Sequence, residues 1–372
     1  MKKSVIRALE LGFGTSSLTK SIENGVPEIV TFSSLVAQVD PSMSGLNAGM
    51  NKRDTVTIEI SGAHYEVGPD AGLAAGKKTS RVLNSSYVNS AQYQALLFGS
   101  LVMMDEQVID MLVLGLPVEN WSRRDELKEL VVGKHTINGK DYCVNDVWII
   151  VQPMGGLFAH SNSIGQKAYN ELRQMNVLSV DPGYGTFDFC MSFGLKVNES
   201  LSGGSSDHGM SAVLESVSQR LSLAFGGMSD IPIERIDEAF WKNKTFIRIA
   251  GRKYPFPVCS GKDTDGNEVN VHFNVTTSIS DVTRGAITKI LNKVGNGGAV
   301  DVILLMGGSW EVYLPALKEA YPAHNIIILK EPIRSVCLGM YYGGVQYYAL
   351  KQKQLKVVKT AKKVVKTAKK VA

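Results

Sequence analysis

Two short segments carry residue types that could do chemistry, and they share one layout. In Glu10-Leu-Gly12-Phe-Gly14-Thr15-Ser16 and Asp181-Pro-Gly183-Tyr-Gly185-Thr186-Phe-Asp188, a carboxylate is followed two positions on by glycine, then by a second glycine, then by threonine. Glycine turns bring backbone N–H groups close to an anion, because no Cβ stands in the way. A carboxylate beside such a turn can hold a metal through water. Two of these turns, facing each other from the two halves of one chain, would clamp a polyphosphate. A lone Gly-x-Gly means little in a chain with 36 glycines, and Gly295-Asn-Gly297 is read as a chance pair. The repeated acid, spacing and hydroxyl residue set the two segments apart.

The surrounding pattern supplies elements to position them. Strand character runs through Val5–Leu9 and Val177–Val180, directly before the two carboxylates. Thr55–Ile60 and His64–Val67 flank Ser61-Gly62 as a hairpin. Helical periodicity follows from Ser90 to Met104, a buried strand covers Met111 to Val118, and a charged helix covers Arg123–Val131. Asp146–Val151 reads as an apolar strand closed by a turn at Gln152-Pro153-Met154-Gly155-Gly156. Helices are expected over Gly209–Ala224, Asp281–Val294 and Leu314–Ala320, and strands over Phe246–Gly251, Val300–Met306 and Ile326–Leu329. Strands alternating with helices predict an α/β fold with largely parallel sheets and a ligand site at the carboxyl ends of strands.

At 372 residues, 44% hydrophobic and 20% charged, the chain suits a soluble protein of two domains. The most apolar stretch, Val108–Val118, contains Asp110, Gly115 and Pro117 and is too short to span a bilayer. Arg7 and Glu10 interrupt any export signal, so a cytoplasmic location is expected. Cys143, Cys190, Cys259 and Cys337 are widely spaced and read as buried, reduced thiols. The six histidines are equally scattered, so any metal is expected to arrive with the ligand. The net charge of +5 is concentrated at one end. Lys351–Ala372 contains nine lysines and no acid, and taking those nine from +5 leaves the body at −4.

Five segments now stand in a particular order: the first hairpin, Gly115-Leu-Pro117, Gln152-Pro153, the second hairpin, and Gly307-Gly308-Ser309 followed by Pro315. This order resembles the actin-like ATPases, and Gly-Leu-Pro-Val resembles their ParM-like plasmid-segregation branch. The similarity spans residues 1 to about 345. It implies two α/β lobes with RNase H-like cores and a nucleotide cleft between them. The expected division is lobe I over 1–159, lobe II over 160–334, a helix returning to lobe I over 335–350 and a basic tail over 351–372.

By the same resemblance, Gly12, Gly14, Thr15 and Ser16 form the first phosphate loop, and Gly183, Gly185 and Thr186 the second, with Asp188 among the nucleotide contacts. Asp181 and Glu10 would hold Mg²⁺ through water. Gly307, Gly308 and Ser309 match the turn that approaches adenosine, and Gln152 matches the residue that aims the attacking water. The chain departs from the family at Glu10, where Asp is usual, and at Ser17, where Lys is usual. The second departure puts the rate of hydrolysis in question more than the binding of ATP or GTP. Glu331-Pro332 through Gly339 resembles the family's second connecting helix, with Gly339 allowing close helix packing.

In the tail, Lys356-Val-Val-Lys-Thr-Ala-Lys362 repeats unchanged as Lys363–Lys369 and begins again at Lys370. The seven-residue period would put valines and alanines opposite lysines on a helix, although valine is a mediocre helix former and the free segment is expected to be disordered. DNA phosphates, an anionic membrane and a partner helix are all conceivable targets. Lysines without aromatic anchors favour DNA. The expected function is a nucleotide-dependent, filament-forming ATPase that moves or positions plasmid or phage DNA, directly or through an adaptor. The alternatives are a nucleotide-bound, non-hydrolysing DNA tether and a small-molecule kinase of the same superfold.

Overall fold

The computed structural model describes residues 4–40, 42, 53–74, 87–228, 231 and 233–371, with side chains in the last helix as far as Val357. The repeated hairpins are the first sign of a larger duplication. Ile6–Leu11, Thr15–Glu23 and Val26–Ser33 form an antiparallel meander, and Met111–Leu116 and Val147–Val151 then add in parallel on the far side of Ile6–Leu11. Asn176–Pro182, Phe187–Phe193 and Lys196–Ser205 form a second meander, with Val302–Leu305 and Ile326–Ile328 added in parallel beside Asn176–Pro182. Both five-stranded sheets are therefore mixed rather than largely parallel. The hairpins require this, since a two-glycine turn can only return the chain antiparallel.

The central strands read as near-continuous apolar runs because both faces are covered. Met111–Leu116 and Asn176–Pro182 are buried along nearly their whole length. One core packs Leu9, Leu96, Leu97, Leu101 and Leu114 around the first sheet. Another packs Phe187, Val213, Leu214, Ile287, Leu305 and Tyr313 around the second. A third core joins them, running from Ala8 and Val113 through Met154 and Leu157 to Leu304, Met306 and Met340.

Two crossing helices build this third core. Gln152–Ser163 is helix from its first residue, with Pro153 in the first turn, so the turn expected at 152–156 is a helix start instead. Proline suits that place because the first helical N–H groups have no partner within the helix. The other helix, Pro332–Val371, crosses it where Gly339 lies against the backbone of Gly155 and Ala159, so closely that any Cβ on Gly339 would overlap the Gly155 carbonyl. The close packing expected of Gly339 is thus observed, with Gly155 as its unforeseen partner.

The second helix continues through Val371 without a break, in contrast to the disorder expected for the tail. Its length of 40 residues corresponds to about 60 Å. Trp148 stacks on Tyr347 at 4.5 Å between centroids, and Lys351 pairs with Asp146, so this helix is tied to the first sheet as far as residue 351. The repeated tail side chains beyond Val357 lie outside the described residues. Two expected helices begin earlier, spanning Thr276–Val294 and Trp310–Ala320, whereas the strand expected over Phe246–Gly251 ends at Ile249 and pairs with Arg252–Pro255 as a hairpin. Among the described residues, Cys190, Cys259 and Cys337 are buried and Cys143 is partly exposed, and no two are joined.

Candidate functional site

The two hairpins close in the same way. Gly12 N–H donates to Thr15 O at 3.0 Å and Gly183 N–H to Thr186 O at 2.9 Å. These two amides are committed to their own turns. At each first glycine an added Cβ would press on the same carbonyl, Thr15 O at 2.8 Å or Thr186 O at 3.0 Å. The second glycines have another role. A Cβ on Gly14 would overlap Tyr184, and a Cβ on Gly185 would overlap Phe13. Each hairpin thus inserts its aromatic residue against the other's glycine, and the two tips face one another.

Neighbouring elements hold each hairpin in place. Ser34, which nothing in the sequence singled out, donates its N–H to Gly14 O at 3.0 Å and its hydroxyl to Gly12 O at 2.6 Å, and its hydroxyl also meets Ser16 Oγ at 2.8 Å. Ser16 is therefore buried behind the first loop, outside the cleft lining. On the other side, the helix Met210–Ala224 begins by donating Met210 N–H to Gly183 O and Ser211 N–H to Tyr184 O.

Between the hairpins lies a cleft of about 560 Å³, a size usual for a ligand site. Its lining includes Glu10, Gly12, Gly14, Thr15, Gln152, Asp181, Gly183, Gly185, Thr186, Asp188, Gly307, Gly308 and Ser309. The structure therefore brings together every sequence-predicted site residue except Ser16. It adds Phe13, Tyr184 and the strand-end residues Thr31–Ser33, and also Met210, Asp237 and Trp241. The last three could not have been found from the hairpins, since they come from helices with no glycine motif. The Gly307–Ser309 turn is stitched to the second hairpin by Ser309 N–H donating to Pro182 O at 3.2 Å. Gly307 has a left-handed φ of +83° and approaches the Asp181 carboxylate so closely that only glycine fits.

The electrostatics are those of an acidic site without a counter-charge. Burial raises the Asp181 carboxyl to about 7, and the nearby Asp188 charge adds to this. Glu10 is raised well above the usual carboxylate range, by burial first and then by Asp181, and its Oε2 is buried with no hydrogen-bond partner. Asp188 is also raised to about 7 by burial, although hydrogen bonds to it act in the opposite direction. One of its oxygens accepts from Thr186 Oγ1 at 2.5 Å and the other from Val118 N–H at 2.7 Å. Asp188 thus links the second hairpin to the Gly115-Leu-Pro117-Val118 segment of the first half.

Ser17, at the position where Lys is usual, is buried and hydrogen-bonded to Thr31 Oγ1 at 2.9 Å. Lys20 is exposed, and no Lys or Arg is among the described residues lining the cleft. Among the described residues no group of three or more His, Cys, Asp and Glu side chains could hold a metal by itself. The pair Glu10 and Asp181 nevertheless suits a hydrated dication that brings its own phosphate ligands, because it offers acceptors only and one oxygen is orphaned. Gln152 is 5% exposed at the helix start, and its Nε2 is a buried donor with no partner. An orphaned donor costs about 1–3 kcal/mol unless a ligand or water satisfies it.

Two sheets of one topology, joined by crossing glycine-contact helices and closed over a cleft by matched hairpins, define the actin-like fold, which this chain adopts. Residues 8–155 match the family model described as the N-terminal domain of actin-like proteins. The chain superposes on the archaeal actin homologue Ta0583 with a TM-score of 0.70 at 14% identity, over 92% of this chain and 99% of that one. Ta0583 in complex with ADP gives 0.64 at 16% identity over the same shares. A subunit of the 15-stranded ParM filament from Clostridium botulinum gives 0.68 at 15% identity, over 92% and 99%. No protein with a curated function matches the sequence. Among the described residues no helix is long and apolar enough to cross a membrane.

Proposed function

We propose that the cleft binds a magnesium–nucleoside triphosphate, ATP or GTP, and hydrolyses it slowly while the protein assembles with copies of itself into filaments that move or position plasmid or phage DNA in the cytoplasm. The observation that carries this reading is the reciprocal packing of Phe13 on Gly185 and Tyr184 on Gly14, which points both hairpin tips into one cleft. The similarity to a filament subunit and to a relative solved with ADP supports the same reading.

Phosphoryl transfer depends mainly on positioning and charge stabilisation. Glu10 and Asp181 are the residues that would hold magnesium, which supplies positive charge at the phosphates. Thr15 stands at the first tip to donate to a phosphate oxygen, whereas the Thr186 hydroxyl is committed to Asp188 and braces the second tip. Gln152 is a poor base but carries an unpartnered donor, and its role is to orient a water. With Ser17 tied to Thr31 and no cation among the described residues lining the cleft, turnover is slow. Replacing Gln152 by alanine should lower single-turnover phosphate release about 10- to 100-fold while leaving the nucleotide Kd within about threefold. The water-orienting role is refuted if the release rate is unchanged. Assembly is tested by nucleotide-dependent light scattering and pelleting, and a monomer at all concentrations would contradict it.

The tail reading is narrowed by the Lys351–Asp146 pair, which leaves eight of the nine lysines beyond that anchor for DNA. Removal of residues 353–372 should therefore preserve thermal stability, whereas removal from 351 onward should lower it. For the whole protein, six or more lysine–phosphate contacts would lower duplex affinity roughly 10³-fold or more between 50 and 200 mM salt. Salt-independent binding, or undiminished binding after the 353–372 deletion, would exclude the tail as the contact.

A further inference from the structure

We propose that Trp241 is the residue on which the base of the bound nucleotide stacks, so that the short helix Ile233–Trp241 reads the nucleoside end of the cleft. This rests on the reading that the cleft holds a nucleoside triphosphate. Trp241 lines that cleft and is 71% exposed, the greatest exposure of a large aromatic side chain among the described residues. Ile236 and Ala239 bury the opposite side of the helix, while Asp237 and Trp241, one turn apart, both reach the cleft. An indole with an open face in a concave site is an arrangement that gains from an incoming flat ring.

The charges nearby assign this part of the cleft to the nucleoside rather than to phosphate. Asp237 is an acceptor that would repel phosphate oxygens and suits the hydroxyl or amino donors of a nucleoside. The two neighbouring cations are engaged within the protein rather than turned toward a bound phosphate: Lys242 and Lys244 both pair with Glu238, at 2.7 and 2.8 Å. Lys242 Nζ also lies 5.1 Å from the indole centroid and covers one face of the ring. Such a cation steadies the ring and leaves its other face for the base. The phosphate end lies at the hairpin tips, which have glycines and threonines but no indole. The cleft lining therefore offers one set of groups to phosphates and another to a flat ring.

The test is calorimetric titration of magnesium-ATP, magnesium-GTP and magnesium tripolyphosphate into the full-length wild type, Trp241→Ala and Trp241→Phe. Because the side chain is exposed, both variants should fold. Trp241→Ala should weaken both nucleotides about 5- to 100-fold and leave tripolyphosphate unchanged, and Trp241→Phe should recover most of the loss. If the wild type binds nucleotide and Trp241→Ala binds it equally well, the stacking role is overturned and the nucleotide cleft stands. An equal loss for tripolyphosphate also overturns it, since the effect would then not belong to the base. If the wild type binds tripolyphosphate or nothing but neither nucleotide, the cleft reading itself fails, and this proposal with it.

Discussion

Asp181→Asn should make the nucleotide-free protein more stable at pH 8 and at the same time lower magnesium-dependent nucleotide hydrolysis by 100-fold or more. Both effects follow from one buried carboxyl. Its ordinary value is 3.8, and burial with Asp188 nearby raises it to about 7 in the fold. The native state therefore holds the proton more tightly than the unfolded chain. The stability this confers is complete below pH 3.8 and is lost progressively as the pH rises to about 7. Above that, the wild type keeps a buried charge beside Glu10 and Asp188. Asparagine is neutral throughout, so the variant should lack this part of the slope and gain about 2 kcal/mol at pH 8. A three-unit shift corresponds to about 4 kcal/mol, and the buried amide gives part of that back by needing partners of its own.

The measurement is Tm against pH from 5 to 8 for both proteins without nucleotide, followed by phosphate release with magnesium-ATP. Wild-type Tm should fall more steeply over this range, and saturating magnesium-nucleotide should restore it in the wild type alone. Parallel pH curves would show that Asp181 does not carry the penalty. Undiminished hydrolysis would remove it from the metal-holding role. The trade-off follows from the proposed function: a site that serves a cation and an anion together is costly when empty.

Gly339→Ala should have the largest effect on stability of any single methyl addition at a glycine among the described residues. The added Cβ would collide with the Gly155 carbonyl and with Ala159 N, both of them backbone in the facing helix. Backbone cannot rotate aside, so the helices Gln152–Ser163 and Pro332–Val371 must separate, and the core containing Met154, Met306 and Met340 would open with them. Overpacking costs typically 1–3 kcal/mol and more where nothing can yield. We expect ~3 kcal/mol or more, with Tm lower by roughly 4 °C or more in a chain of 372 residues.

Two controls separate the mechanism from a general effect of replacing glycine. A Cβ on Gly344 would meet the side chain of Val113, so Gly344→Ala should be rescued in part by Val113→Ala. A Cβ on Gly298 would meet only Asn296 Oδ1, at 3.8 Å, and Gly298→Ala should leave Tm within about 1 °C. Equal losses at Gly298 and Gly339 would refute the backbone-contact explanation. Because the crossing helices connect the two sheets, Gly339→Ala should also weaken nucleotide binding, whereas Gln152→Ala should not.

Several parts of this fold were legible before any coordinates because they depend on local chemistry. The hairpins were visible as glycine turns after short apolar strands, and the duplicated spacing foretold the duplicated Gly12–Thr15 and Gly183–Thr186 hydrogen bonds. Strand and helix order was largely correct, since periodicity is set by the pattern of burial. Errors fell where long-range contacts override local preference. Gln152-Pro153-Met154-Gly155-Gly156 looks like a turn, yet it begins a helix because Gly155 and Gly156 are needed where Val336 and Met306 press against them. Ser16 looks like a phosphate ligand, but its side chain points away from the cleft to Ser34, since successive residues of a strand alternate faces.

The amino-acid sequence by itself determined that this chain is a duplicated α/β protein with two acid–glycine–threonine hairpins and a basic end. Those features lie in the types and spacing of residues close together in the chain, where backbone sterics and side-chain chemistry act locally. Only the tertiary structure decided that the hairpin tips interlock through Phe13 and Tyr184, that Ser34 and Asp188 brace them, and that Trp241 completes the cleft. These relations join residues tens to hundreds of positions apart, and packing in three dimensions, which no local pattern encodes, selects them.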